Sequence, residues 1–150
     1  MPHKIPVSAL IVVYTPDLRV LLIERADAPG LWQSVTGSQE SGEALAATAA
    51  RELGEETGID AARYGGVRDW KMSNVYEIYP RWRYRYAPGV THNTEHVFGL
   101  EVPDQVPVVL EPREHRAYAW LPFAAAAAKC FSWSNRDAIL RLPEIVAAGR

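Results

Sequence analysis

The apolar positions at the start of the chain are spaced as in strands. Residues 7–14, VSALIVVY, form a β-branched apolar run, which is typical of a strand buried on both faces. Residues 19–25, RVLLIER, predict a second strand, and the turn residues TPD lie between the two. The pattern therefore predicts a hairpin over 7–25.

Further along, the pattern alternates between strand and helix signals. A loop over 26–42 contains one short extended piece, WQSV. Helices are predicted from Glu43 to Thr57, from Pro122, and after Ser134, where Pro143 kinks or splits the last one. Strands are predicted within 67–86, most clearly at RWRYRY (81–86), and at 95–102 and 117–121. This order predicts an α/β fold, an α/β/α sandwich around a mixed β-sheet.

Composition narrows the class of protein. The chain has 150 residues, so we expect residues 1–150 to form a single domain, as a monomer or homodimer. The net charge of −2 gives no global attraction to nucleic acid or to an anionic membrane. The first apolar run is too short to span a bilayer and has no cleavage site after it. The single cysteine, Cys130, excludes an internal disulfide and fits a cytoplasmic location.

Three acidic side chains share one stripe of the predicted central helix. Glu52, Glu55 and Glu56 follow i, i+3, i+4 spacing, and like charges so placed destabilise a helix by a few tenths of a kcal/mol. Arg51 lies to the side of this arc, so the stripe has no basic residue of its own. A bound divalent cation would explain the cluster, and so would an acidic, solvated helix face. Spacing alone leaves both alternatives open.

A longer motif bears on that choice. Gly37, then Glu43, then residues 51–59, RELGEETGI, match G-x5-E-x7-R-E-U-x-E-E-x-G-U at every defined position. The motif resembles the Nudix box, and the resemblance implies a Nudix-like fold and hydrolysis of nucleoside diphosphates linked to another group, with Mg²⁺ or Mn²⁺. It also implies a salt bridge between Glu43 and Arg51, a carbonyl of Gly37 near the metal, and roles for the helix glutamates. Glu52 and Glu56 would be the principal metal ligands, and Glu55 a further ligand or base.

Four further segments are similar to one branch of that family: 32–38, 85–96, 114–121 and 132–139. The branch releases pyrophosphate from 7,8-dihydroneopterin 3′-triphosphate, leaving the monophosphate. Its pattern implies that Glu114 completes the metal site from a loop. The alternatives are a hydrolase of (deoxy)nucleoside triphosphates such as dATP, and a non-catalytic binding module, which would not need the intact acidic cluster.

A triphosphate substrate needs cations and hydrogen-bond donors. Arg25 ends the second predicted strand beside the box, and a 7–25 hairpin would bring Lys4 close to it. Thr36 offers a hydroxyl beside the metal site. The alternative for each is an ordinary strand-end or strand residue.

The other end of the substrate needs a flat, partly apolar wall. Tyr76 and Tyr79 are candidates to stack on a pterin, although both could be plain core. In SWSN, Ser134 is predicted to cap the last helix, which leaves Ser132 as the substrate contact. RWRYRY could bind single-stranded nucleic acid, but the net charge favours a half-buried strand. The general base stays open among Glu55, Glu56 and Glu114.

Overall fold

Seven strands form one mixed sheet in the computed structural model, which describes residues 2–149. The strands are β1 (Val7–Tyr14), β2 (Arg19–Arg25), β3 (Trp32–Gln33), β4 (Val35–Ser38), β5 (Arg68–Glu77), β6 (His92–Glu101) and β7 (His115–Pro122). The helices are α1 (Leu45–Thr57), α2 (Phe123–Lys129), α3 (Trp133–Leu140) and α4 (Leu142–Ala148), with 3₁₀ helices at Ala61–Tyr64 and Pro80–Arg85.

Strand β1 is at the centre of the sheet. One edge pairs with β6 in parallel along its whole length. The other edge is divided, because β4 pairs antiparallel with Ser8–Ile11 while β2 pairs only near Tyr14. Strand β2 instead runs antiparallel to β7. The predicted hairpin therefore forms only at its turn, and β4 occupies the edge that a full hairpin would have filled.

Alternating side chains of β1 and β2 build two apolar layers. Ile11 and Leu21 face α1, where Ala49 and Leu53 pack on them. Leu10 and Leu22 face the opposite way, onto α2, α3 and α4. Since β1 is covered on both faces, its near-continuous apolar run is required by its position. The predicted α/β/α sandwich around a mixed sheet is confirmed.

The predicted strand at 81–86 is wrong. Residues Pro80–Arg85 form a 3₁₀ helix, with Tyr79 as its N-cap and Pro80 in its first turn. Proline has no N–H for a sheet ladder and its fixed φ suits a helical first turn, so the chain leaves the sheet after Glu77. The alternation of arginines and aromatic residues is consequently not a two-faced strand.

Several helix boundaries also differ from the predictions. Helix α1 begins at Leu45 rather than Glu43, because the Glu43 side chain accepts hydrogen bonds from the N–H of Glu40 and the hydroxyl of Thr48. Helix α3 is capped by Ser132, whose hydroxyl accepts from the N–H of Asn135, so the assignment of the cap to Ser134 is wrong. The break at Pro143 is confirmed, since α4 begins at Leu142.

Two other observations concern the chemistry of the chain at large. Cys130 is half-buried, and burial raises the pKa of its thiol to about 12, as expected of an unreactive cysteine. Among residues 2–149, no helix combines the length and apolarity needed to cross a membrane.

Candidate active site

A close contact between β4 and α1 places the acidic helix against the sheet. Gly37 lies under the side chain of Glu52, so close that a Cβ on residue 37 would be 2.0 Å from Glu52 Cδ. Any side chain at position 37 would have to displace Glu52. Glycine is required here for its small size, and it lets a carboxylate lie directly on the strand backbone.

Arg51 neutralises part of the acidic cluster. Its guanidinium contacts Glu43 at 2.8 Å, Glu52 at 2.9 Å and Glu55 at 3.4 Å, and it donates to the carbonyl of Ser38 at 3.1 Å. The salt bridge with Glu43 that the motif implied is present. The expectation that Arg51 stands aside from the acids was wrong, because the long side chain reaches across the helix face to its neighbours.

Glu56 is the most buried acid of the cluster. Its side chain is almost fully enclosed, and its Oε2 has no hydrogen-bond partner among the described residues. Burial raises the pKa of Glu56 well above its ordinary value, and the carboxylates of Glu52 and Glu114 raise it further. Burial also raises the pKa of Glu52, partly offset by Arg51. A cation bound beside these oxygens would relieve both the burial and the repulsion.

The loop carrying Glu114 reaches this cluster, as the sequence suggested. Glu114 lines one cleft together with Glu52, Glu55 and Glu56, although it is distant from them in sequence. Within residues 2–149, however, no three acidic, histidine or cysteine side chains are already arranged around a common point for a metal. The donor set fits a hard divalent cation, but Glu52 and Glu55 currently bind Arg51 and would have to turn toward the ion.

A second cleft, open to solvent, begins at Glu56. Its walls come from β4, β5, β6, the Pro80–Arg85 helix and the start of α3. All six predicted substrate residues line it: Lys4, Arg25, Thr36, Tyr76, Tyr79 and Ser132. The fold thus brings together side chains that are spread over most of the sequence, and their individual roles stay predictions.

Several of these side chains already have partners. Arg25 donates to both carboxylate oxygens of Asp27, at 2.8 and 2.9 Å, and lies 4.2 Å from the ring centre of Trp82. The Thr36 hydroxyl donates to the carbonyl of Ala9 at 3.0 Å. Arg25 is therefore held in a fixed position at the cleft wall, whereas Thr36 uses its hydroxyl within the sheet.

Lys4 reaches the cleft by a different route from the one predicted. Its N–H donates to the carbonyl of Arg85 at 2.8 Å, next to a bridge with Tyr86. The β1–β2 pairing does not bring it there, because that pairing is confined to the turn. The segment after β5 therefore holds the N-terminal residues against the site.

The sequence reasoning missed Arg85, Asn93 and Glu95, which also line the cleft. Arg85 was part of the predicted strand at 81–86, where the structure has a 3₁₀ helix. Asn93 and Glu95 face the same side of β6 as the buried Val97, and β6 begins before the predicted residue 95. Two polar residues in register with an apolar inward position were a visible signal for a functional pocket.

Comparison of the chain with known proteins identifies its family. The profile of the NUDIX domain matches residues 4–142. The chain belongs to the Nudix family. It is 48% identical over 139 residues to the "Dihydroneopterin triphosphate diphosphatase" of Escherichia coli K12, covering 91% of each chain. It is 41% identical over 141 residues to the Haemophilus influenzae protein of the same name, covering 93% of this chain and 88% of that one.

The Nudix fold is also evident in three dimensions. The solved structure of the E. coli dihydroneopterin triphosphate pyrophosphohydrolase superimposes with a TM-score of 0.88 at 46% identity, covering 94% of this chain and 97% of that one. Nudix hydrolases use divalent metal ions, which fits the oxygen-rich cluster between β4 and α1.

Gly37→Ala should damage this Nudix site without unfolding the protein. The added methyl group would occupy the space of Glu52 Cδ, so Glu52 must leave Arg51 and the strand. We expect hydrolytic activity to fall at least about tenfold, since a displacement of about 1 Å within an active site costs on this scale or more. Steady-state kinetics and circular dichroism would be measured together.

Gly54→Ala is the matched control, because a Cβ there has no neighbour closer than 3.9 Å. It lies inside α1, so alanine should stabilise the helix by up to about 1 kcal/mol and leave activity unchanged. Equal activities for the two variants would contradict the close-contact account.

The salt bridge of Glu43 predicts a pH-dependent stability. Hydrogen bonds from Arg51 lower the pKa of Glu43 from its ordinary 4.5 to about 2. Its contribution to stability is therefore complete above the ordinary pKa and is lost as the pH falls toward the folded-state pKa. Glu43→Gln should lower the urea midpoint relative to wild type at about pH 7, and by less at about pH 3.

Glu40→Gln serves as the control, because Glu40 approaches Arg51 only to 3.7 Å and its side chain is 68% exposed. Its midpoint should stay near the wild-type value at both pH values. If Glu43→Gln lowers the urea midpoint by the same amount at both pH values, the ion pair is not the cause of the lost stability.

Proposed function

We propose that this protein is a Mg²⁺-dependent hydrolase that converts 7,8-dihydroneopterin 3′-triphosphate to the monophosphate and pyrophosphate. The main support is its 48% identity, over 91% of both chains, to an E. coli protein that carries this activity in its name. The complete Nudix box and a cleft that runs from the acids to an aromatic wall are consistent with that substrate.

We assign the metal to Glu52, Glu56 and Glu114, with the carbonyl of Gly37 as a further oxygen donor. The unpartnered Oε2 of Glu56 and the shared cleft of the three acids support this set. A bound divalent ion would neutralise phosphate charge and lower the pKa of a coordinated water. Glu55 is exposed at the edge of the same cleft, so it and Glu114 are reachable candidates for the general base.

Arg51 acts through the acids rather than on the substrate. Its guanidinium is enclosed by Glu43, Glu52 and Glu55, and the pKa of Arg51 is raised, chiefly by the hydrogen bonds to Glu43. It is therefore a positioning residue in this proposal. It sets the starting geometry of two acids and limits their mutual repulsion until the cation arrives.

Three cations are available for the triphosphate. Lys4, Arg25 and Arg85 line the same cleft as Glu56. Asp27 contacts both arginines, at 2.8 Å and 3.2 Å, and so orients them. Charge-assisted hydrogen bonds from these groups to phosphate oxygens would hold the substrate against the acidic cluster.

The function is tested by comparing pyrophosphate release from the pterin triphosphate and from each dNTP with Mg²⁺ present. We expect the highest kcat/KM for the pterin. Glu56→Gln should lower turnover by orders of magnitude at saturating Mg²⁺, because it removes the buried anionic oxygen while keeping the shape. Metal-free thermal stability should hold or rise slightly, since a repulsive buried charge is lost.

Glu144→Gln, in α4 and ion-paired with Arg141 at 2.9 Å, is a control that should retain wild-type turnover. A dNTP that exceeds the pterin in kcat/KM would overturn the substrate assignment. Near-normal turnover of Glu56→Gln would overturn the metal assignment while leaving the substrate assignment intact.

Glu114→Ala should raise the Mg²⁺ concentration required for half-maximal activity. The loop itself should stay folded, because it is held by backbone hydrogen bonds from Ala26 to the Glu114 carbonyl and from Glu114 to the Glu111 carbonyl, both at 2.9 Å. The expected shift is about tenfold or more, as for the loss of one metal ligand or supporting group. Activity would be titrated against Mg²⁺, and Mg²⁺ binding measured by calorimetry.

The matched control is Glu111→Ala in the same loop, since the Glu111 carboxylate is occupied by Arg113 at 2.7 Å. It should leave the Mg²⁺ dependence within about twofold. If Glu114→Ala binds Mg²⁺ like wild type, the loop acid does not belong to the metal site.

A further inference from the structure

Two polar side chains of β6 are buried at the floor of the second cleft, the one that begins at Glu56 and carries the aromatic wall. Asn93 is 1% exposed and Glu95 is 2% exposed, and both line the cleft along with Tyr76 and Ser134. The acids of the metal site come from α1 and the loop at Glu114, whereas Glu95 lies against α3. The cleft therefore has an acidic group in each of two different regions.

Both floor residues have an unused acceptor. Oε1 of Glu95 and Oδ1 of Asn93 are buried and have no partner among residues 2–149. The amide nitrogen of Asn93 donates to the hydroxyls of Ser8, at 2.8 Å, and Tyr76, at 3.0 Å, so its oxygen is the group left over. An unpartnered buried acceptor is costly, so a ligand that brings N–H donors to these two oxygens would be stabilised here.

Glu95 also lacks a cationic neighbour. The ion pairs found in the described part of the chain do not include it. Burial raises its pKa to about 7, and a hydrogen bond from Ser134 offsets this only in part. Donors from a ligand would stabilise the carboxylate in the manner that salt bridges do elsewhere in this protein.

The wall next to this floor is aromatic. Tyr79, Trp82 and Phe131 form a cluster with ring centroids 5.5 to 5.9 Å apart, and all three line the cleft. Such a wall suits a flat heterocycle, because ring faces stack favourably on one another. A carboxylate beside the edge of that heterocycle would then accept hydrogen bonds only from rings whose N–H groups point toward it.

We propose that Glu95, assisted by Asn93, binds the edge of a 2-amino-4-oxopyrimidine ring, where a ring N–H and an exocyclic amino group point the same way. Two parallel N–H donors match the two oxygens of a carboxylate. Pterins and guanine present this edge. Adenine and cytosine place an acceptor beside the amino group, so the ring nitrogen's lone pair would oppose one carboxylate oxygen and leave that oxygen without a hydrogen bond.

This inference rests on the proposed function, and it makes Glu95 the residue that selects the heterocycle. It also explains how a triphosphate hydrolase could discriminate among substrates that share the same phosphates. A site built to accept hydrogen bonds rejects analogues that lack the donors more strongly than an apolar pocket does.

The test is Glu95→Gln, assayed on the pterin triphosphate, dGTP and dATP. The amide offers only one acceptor to the two donors, so kcat/KM for the pterin and for dGTP should fall about 10- to 100-fold, mainly through KM. The value for dATP should change little, and the preference for the 2-amino-4-oxo ring should shrink accordingly. Glu101→Gln, at the exposed end of the same strand, should behave as wild type.

Inhibition by inorganic tripolyphosphate separates ring recognition from folding. It should be unchanged in Glu95→Gln, since the phosphates bind at the other region. If Glu95→Gln keeps the wild-type preference for the pterin and dGTP over dATP, the inference is overturned. Hydrolysis of the pterin triphosphate by the wild type would still support the proposed function. Loss of tripolyphosphate inhibition in the variant also overturns the inference, because the residue would then be structural.

A wild type that favours dATP over the pterin would instead contradict the proposed function. In that case Glu95 is still tested by the ratio of dGTP to dATP. If kcat/KM of the wild type is higher for dGTP than for dATP and this preference is lost in Glu95→Gln, recognition of the ring edge is supported. If the wild type does not prefer dGTP over dATP, the inference is overturned.

Discussion

The contact between the backbone of Gly37 and the side chain of Glu52 sets the position of the whole site. Strand β4 is fixed by its pairing with β1, and α1 is fixed by Ala49 and Leu53 in the apolar layer beneath it. These two constraints leave no room for a Cβ at position 37. The acidic face of α1 thereby lies against the sheet at the point where the cleft lined by Glu56 begins.

That arrangement is unfavourable for an isolated helix. Glu56 is buried with an unpartnered oxygen beside two other carboxylates, and burial and their charge raise its pKa. Arg51 offsets the repulsion by binding Glu52 and Glu55, while Glu43 holds Arg51 in place. The protein thus keeps several negative groups close together in the absence of a cation. This repulsion lowers the free energy of unfolding, and the apolar packing of α1 offsets the loss.

The sequence predicts some features of this protein much better than others. The box around Glu52 and Glu56 is contiguous and periodic, and the two-faced burial of β1 is visible in its composition. The segment 81–86 was misassigned because alternation of arginines and aromatics fits a strand as well as a short helix, and Pro80 decided between them. The position of Glu95 and Asn93 on the inward face of β6 was visible in the sequence. Their hydrogen bonds with Ser134 and Tyr76 were not, because only the folded sheet and α3 bring those residues near.

The central claim is that one cleft holds the phosphates at the α1 acids and the ring at Glu95. The most direct measurement is a crystal structure with Mg²⁺ and a non-hydrolysable analogue of the pterin triphosphate. We expect oxygens of Glu52 and Glu56 about 2.1 Å from the metal. We also expect the N–H edge of the ring about 2.7–3.0 Å from the Glu95 carboxylate. A metal held by other residues, or a ring bound away from Glu95, would contradict the account.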